Sequence, residues 1–116
     1  MKISDLLENH EQVYYHVTPK KNIPYILRDG LVPGIGRRSS KLGEIKENIY
    51  LFKTLDDVEE AIMNWMEDEF EDDLLAILKI IVPSTFTGIH QHPHAAWEYI
   101  TDKTIPTQYI SVLQDV

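Results

Sequence analysis

The chain has 116 residues, 43% of them hydrophobic, with no cysteine and a net charge of −8. This length suits one domain. No apolar run approaches the ~18 residues of a membrane span, and the missing thiols exclude a disulfide scaffold, a thiolate nucleophile and Cys-ligated zinc. The opening MKISDLLENHEQ has no continuous apolar stretch, so no secretory signal is expected. The expectation is a soluble, cytoplasmic protein with one domain over residues 1–116.

Ser4 can cap a short helix over Asp5 to Asn9, with Ile3, Leu6 and Leu7 as its apolar face. Gln12 to Val17, aromatic and β-branched, predicts a strand ended by Thr18-Pro19. Asn22 to Asp29 predicts a helix: Ile23, Ile26 and Leu27 share a face, and Gly30 stands where a terminating glycine belongs. Leu31-Val32-Pro33 is a short extended piece. Gly34 to Asn48 carries three glycines and the cluster Arg37-Arg38-Ser39-Ser40, which predicts a loop of the length that binding loops have.

Ile49 to Phe52 predicts a four-residue strand. Thr54 then caps a helix reaching about Phe70, with Asp57 three residues on completing the cap. Its apolar stripe is Leu55, Val58, Ala61, Ile62, Trp65, Met66 and Phe70. Leu74 to Val82 is almost wholly apolar and predicts a central strand covered on both faces. Pro83 to Ala96 is expected as a loop with three histidines, and Trp97 to Thr101 and Gln108 to Leu113 as two last strands. Strands interleaved irregularly with two or three helices indicate an α+β fold.

Charge is uneven along this order. Ten of the nineteen acids lie between Asp56 and Asp73, where there is no basic residue. Between Lys20 and Lys53 eight basic residues face three acids. The acidic stretch reads as a solvated helix face, including Glu60, Glu67 and Glu71. The basic middle suits one anionic ligand held locally, whereas the overall charge opposes broad nucleic-acid binding.

Three polar residues stand within predicted strands: His16 in the first, Tyr50 in the second, and Glu98 directly after Trp97. A glutamate among Trp97, Tyr99 and Ile100 is partly desolvated and suited to stabilising positive charge. Taken singly, each also has an ordinary reading: a hydrogen-bonded core histidine, a packing tyrosine, a solvent-facing strand glutamate.

Together, and in order, they carry a resemblance. Tyr15-His16-Val17-Thr18, Gly30-Leu31-Val32-Pro33, Ile49-Tyr50-Leu51-Phe52, Glu98-Tyr99-Ile100 and Ile105 to Ile110 resemble the H-Y-E signature of ADP-ribosyltransferases of the diphtheria-toxin and poly-ADP-ribose-polymerase type. The likeness runs from about Gln12 to Leu113, and the opening is also similar to bacterial DNA-modifying ADP-ribosyltransferase toxins. It implies a small split antiparallel sheet, NAD as substrate, and transfer of ADP-ribose to a macromolecule, a protein or a nucleic acid, with no membrane partner. On the resemblance, Glu98 holds the ribose 2′-hydroxyl and stabilises the oxocarbenium-like sugar. Tyr50 stacks on nicotinamide, and His16 hydrogen-bonds ribose hydroxyls with Thr18 supporting the strand end. Arg37, Arg38 and Ser39, with Ser40, are the best supply of donors to the pyrophosphate; a solvated basic turn is the other reading of that loop.

The sequence departs from the family's pattern in places. Val17 replaces a frequent glycine, and Ala61 stands where many members carry a second aromatic, leaving Trp65 or Phe52 as substitutes. Ala96, two residues before Glu98, is not the acid or amide used by arginine-directed toxins, so arginine is not the implied acceptor. RNA 2′-phosphotransferases share the fold but need several basic phosphate ligands, which only Arg37 and Arg38 could imitate. His90, His92 and His94 alternate on an extended segment and could either ligate a metal or lie near the acceptor site. Two function classes therefore remain: a mono-ADP-ribosyltransferase of toxin or effector type, and a non-catalytic protein of that fold acting on a protein partner through its acidic helix.

Overall fold

The computed structural model describes residues 11–33, 48–66 and 74–115. The expected helix after Ser4, residues 34–47 of the glycine loop with Arg37, Arg38 and Ser39, and residues 67–73 of the acidic stretch lie outside the described residues.

The fold of the described residues is α+β: one antiparallel sheet of six strands and two helices. The strands are β1 (Glu11–Pro19), β2 (Ile49–Phe52), β3 (Leu75–Pro83), β4 (His90–His92), β5 (Ala95–Thr101) and β6 (Ile110–Asp115). They lie side by side in the order β4-β5-β2-β1-β3-β6. A single turn over Lys20–Asn22 leads into α1 (Ile23–Asp29). Gly30 ends that helix at φ 86° with its N–H on the Ile26 carbonyl, and a Cβ there would stand 2.6 Å from the Ile105 carbonyl oxygen. Both facts require glycine. The same approach lets Leu31 and Ile105 exchange two backbone hydrogen bonds of 2.9 Å.

The second helix, α2 (Leu55–Ala61), starts as its sequence dictates: Thr54 is extended and its hydroxyl accepts the Asp57 N–H at 3.1 Å. A π-helical turn, Ile62–Met66, continues it, and the rest of the stretch expected to reach Phe70 lies outside the described residues. Val58 and Ala61 are buried as the stripe requires, but Leu55, in its first turn, is 41% exposed. Leu27 of α1 is likewise 48% exposed, and of that helix only Ile26 is buried.

Side-chain alternation divides the core between the two sheet faces. One face packs Tyr14, Leu51, Leu78 and Ile80 against Ile26 of α1, Leu31 and Ile105. The other packs Val17, Phe52 and Ile77 against Val58, Ala61 and Ile62 of the α2 segment. β3 is buried on both faces over Leu75 to Leu78, as its apolar run predicts, although it lies fifth in the sheet. The last strand begins at Ile110, after a turn over Thr107–Tyr109. The segment expected as a histidine loop contains β4, a short edge strand paired with β5. Its polar sequence HQH carries no apolar alternation; its extended form comes from a non-local partner. No helix among the described residues is long and apolar enough to cross a membrane.

Candidate functional site

The site is built where the two halves of the sheet meet. β1 pairs with β3 along nine residues, Glu11↔Pro83 to Pro19↔Leu75, yet with β2 at the single pair Tyr15↔Phe52. β2 pairs in turn with β5, Phe52 opposite Glu98 and Tyr50 opposite Ile100. Directly opposite residues share a face, so Tyr15, Phe52 and Glu98 form one row across the seam, with Tyr50 one step along on the same face. Diagonal neighbours of this kind stand about 7–8 Å apart by backbone position. Tyr50 and Glu98, 48 positions apart in the sequence, are thus brought onto one side of the sheet.

Glu98 is 0% exposed, the one fully buried acid among the described residues. Its position follows from β5 alternation, which puts Glu98 inward beside Phe52 while Trp97, on the opposite face, is 51% exposed. Phe52 is itself fully buried and packs in one cluster with Val58 and Ala61 of α2.

His16 belongs by alternation to the opposite face, with Tyr14, but beyond the Tyr15↔Phe52 pair the strands part and its ring reaches the seam. There its Nδ1 lies 2.7 Å from the Tyr50 carbonyl oxygen. A carbonyl can only accept, so Nδ1 carries the proton and Nε2 the lone pair. The residue keeps some surface, but loss of water around the ring pushes its pKa down to about 4. His16 is therefore neutral near pH 7, a donor to the main chain of β2 and an acceptor at Nε2. Thr18, buried at the end of β1, has its hydroxyl within 3.4 Å of the Asn22 side-chain amide, a link between strand end and helix start.

The histidines of the β4–β5 hairpin take different places. His90 is opposite Ile100, itself opposite Tyr50. The register then shifts between Gln91 and His92, so that His92 pairs with Ala95. The unshifted register would have set His92 opposite Glu98. The His92 ring lies against Tyr50, centroids 6.4 Å apart at 32°. Its Nδ1 accepts the His94 backbone N–H at 3.0 Å, which fixes the neutral ring's proton on Nε2. Among the described residues no three His, Cys, Asp or Glu side chains are grouped to hold a metal ion.

Sequence reasoning singled out His92 within a histidine segment that could lie near the acceptor site, whereas Lys79 escaped it. His92 was legible only as part of a histidine run; its neighbour Tyr50 is set by the hairpin register. Lys79, opposite Tyr15, is a half-buried cation on the face that carries Tyr50 and Glu98. The signal for it was present, a lone charge inside the apolar run Leu74 to Val82. No family model, curated protein or solved structure matches the chain.

Proposed function

We propose that the chain is a small mono-ADP-ribosyltransferase of toxin or effector type, taking ADP-ribose from NAD and passing it to a macromolecule. The observation that carries this reading is the convergence at the β1–β2 seam. Tyr50 and Glu98 share a face there, and His16 is tied to the main chain of Tyr50. Nothing in a simple packing pattern requires a histidine, a tyrosine and a buried acid from three separate strands at one place.

On this reading the nicotinamide glycosidic bond breaks first, its electron pair returning to the ring nitrogen and leaving a cationic ribosyl carbon. Glu98 stabilises that cation inside the sheet, where water is scarce and a carboxylate acts strongly. Tyr50 orients the leaving ring, and His16, neutral and with Nε2 as acceptor, takes a hydrogen bond from a ribose hydroxyl. Arg37, Arg38 and Ser39 contribute donors to the pyrophosphate. The acceptor nucleophile closes the reaction on the ribosyl carbon and releases a proton.

One observation favours a second reading. Glu98 has no exposed surface and Glu59 and Glu60 of α2 are exposed, as in a binding protein that docks through an acidic helix. Incubating the protein with NAD labelled in the adenylate moiety and a cell lysate separates the two. Transfer of label to protein or nucleic acid is expected. Absence of both transfer and NAD hydrolysis across such acceptors overturns the enzyme reading in favour of the binding module.

A further inference from the structure

We propose that His90 is the general base of the transfer: its imidazole takes the proton of the acceptor nucleophile as that group attacks the ribosyl carbon. The inference rests on the NAD reading and adds to it a residue from the edge strand β4.

Placement is the first observation. His90 stands opposite Ile100, and Ile100 opposite Tyr50, so His90 and Tyr50 flank one residue of β5 on one face of the sheet. Glu98, two positions along β5 on that face, is the diagonal neighbour of both, about 7–8 Å away by backbone position. The hairpin's register shift falls between Gln91 and His92, so it leaves His90 paired with Ile100. Inverting glycosidases keep their two catalytic groups about 6.5–9.5 Å apart, which leaves room for the nucleophile between them.

Access is the second. A macromolecular acceptor stays outside the sheet, so its base must stand at the surface and pass the proton on to water. His90 is exposed on β4, an edge strand of the six, whereas Glu98 is fully buried.

The third is what the neighbouring groups are committed to. A proton taken up by Glu98 would cancel the charge that stabilises the ribosyl cation. His16 donates from Nδ1 to the Tyr50 carbonyl, and burial opposes its charged form. His92 accepts the His94 N–H on Nδ1, so Nε2 of the neutral ring carries the proton and cannot take another. His94 lies in the turn itself, its ring edge-on to that of His92. Among the histidines of the described residues, His90 is left. In the step it serves, the glycosidic electron pair leaves with nicotinamide and a lone pair of the acceptor forms the new bond to the ribosyl carbon. The acceptor's proton moves to His90, and the imidazolium returns it to water before the next turnover.

The test follows nicotinamide release from NAD by the full chain, with water as acceptor, and transfer of adenylate label to a cell lysate. His90→Ala alters an exposed side chain, and is expected to melt with the unaltered protein and to bind NAD equally well. Both rates are expected to fall about a hundredfold, the lower end of what a general base contributes. Added imidazole is expected to restore them in proportion to its concentration, which a merely structural role of His90 would not allow. Should His90→Ala fail to fold, His90→Thr, a residue type suited to strands, is read in the same way. Undiminished rates, or diminished rates that imidazole leaves unchanged, overturn the inference and leave the NAD reading standing. An unaltered chain that neither releases nicotinamide nor transfers label overturns that reading, and this inference with it.

Discussion

β1 meets its two neighbours very differently. Against β3 it forms nine consecutive pairs; against β2 it forms one. The first seam is closed by backbone hydrogen bonds and the second by side chains: Phe52 fills the row between Tyr15 and Glu98, and His16 spans the gap to the Tyr50 carbonyl. A sheet satisfied everywhere by its own backbone has no room for a ligand. A sheet opened at one seam exposes polar groups that must be met by something else, and here the candidate site residues meet them.

If Phe52 rather than backbone pairing holds the open seam, its truncation should cost more than a comparable truncation at the closed one. Phe52→Ala is expected to destabilise the fold by about 3–5 kcal/mol, the range for a fully buried aromatic. Leu78→Ala, at an equally buried position on the closed seam, should fall in the range of about 2–5 kcal/mol and below Phe52→Ala. Urea unfolding of both variants checks the order. A smaller loss for Phe52→Ala would show that the open seam is held elsewhere, and Phe52→Leu provides a milder comparison if the alanine variant does not fold.

The next effect is on chemistry. Glu98→Gln keeps the shape but removes the charge, and on the transferase reading it should lower turnover of NAD by about a hundredfold or more. Binding of NAD should survive, because the ground-state sugar carries little of the charge that Glu98 meets. Initial rates and a binding titration on the same preparation separate the two quantities. Unchanged turnover would remove Glu98 from the mechanism.

A third prediction concerns pH and the opening that His16 spans. Its folded pKa, about 4, lies below the 6.5 of an unperturbed histidine. Above pH 6.5 the ring is neutral in both states and contributes no pH dependence. Between pH 6.5 and about 4 the unfolded chain takes up a proton that the folded chain refuses, so stability falls as pH falls, by at most about 1.4 kcal/mol per pH unit. Below that window both states are protonated and the loss is complete. His16→Gln, which retains an N–H donor for the Tyr50 carbonyl, should flatten this part of the stability profile. A slope that persists unchanged in that variant would assign it to another group.

The contrast between the seams also marks what the sequence could convey. β2 was legible to the residue, because Ile49 to Phe52 is a short apolar run between polar neighbours. The Thr54–Asp57 cap and the glycine ending α1 were legible too, since each depends on contacts within a few residues. β4 was not, because His90 to His92 is extended only through pairing with β5. For the site, His16, Tyr50 and Glu98 stood out as polar residues in apolar strands. Their meeting depends on non-local register: a slip of one residue in β5 would have turned Glu98 to the face of Tyr14. The bond from His16 goes to a backbone carbonyl, which every residue has, so no side-chain pattern announces it.

The smallest effect tests what anchors β2, given that β1 scarcely does. Four pairs to β5 hold it on one side, and α2 begins three residues after Phe52. Thr54→Ala removes the hydroxyl that accepts the Asp57 N–H and is expected to destabilise the protein by about 1 kcal/mol, as loss of a helix cap does. If α2 clamps β2 through Phe52 and Val58, which pack in one cluster, the loss should be local. Hydrogen exchange would then quicken at the β2–β5 amides while the β1–β3 amides keep their protection. Uniform acceleration across both seams would mean that the two halves of the sheet open together, and that the single Tyr15↔Phe52 pair with its surrounding side chains couples them as firmly as nine backbone pairs couple β1 to β3.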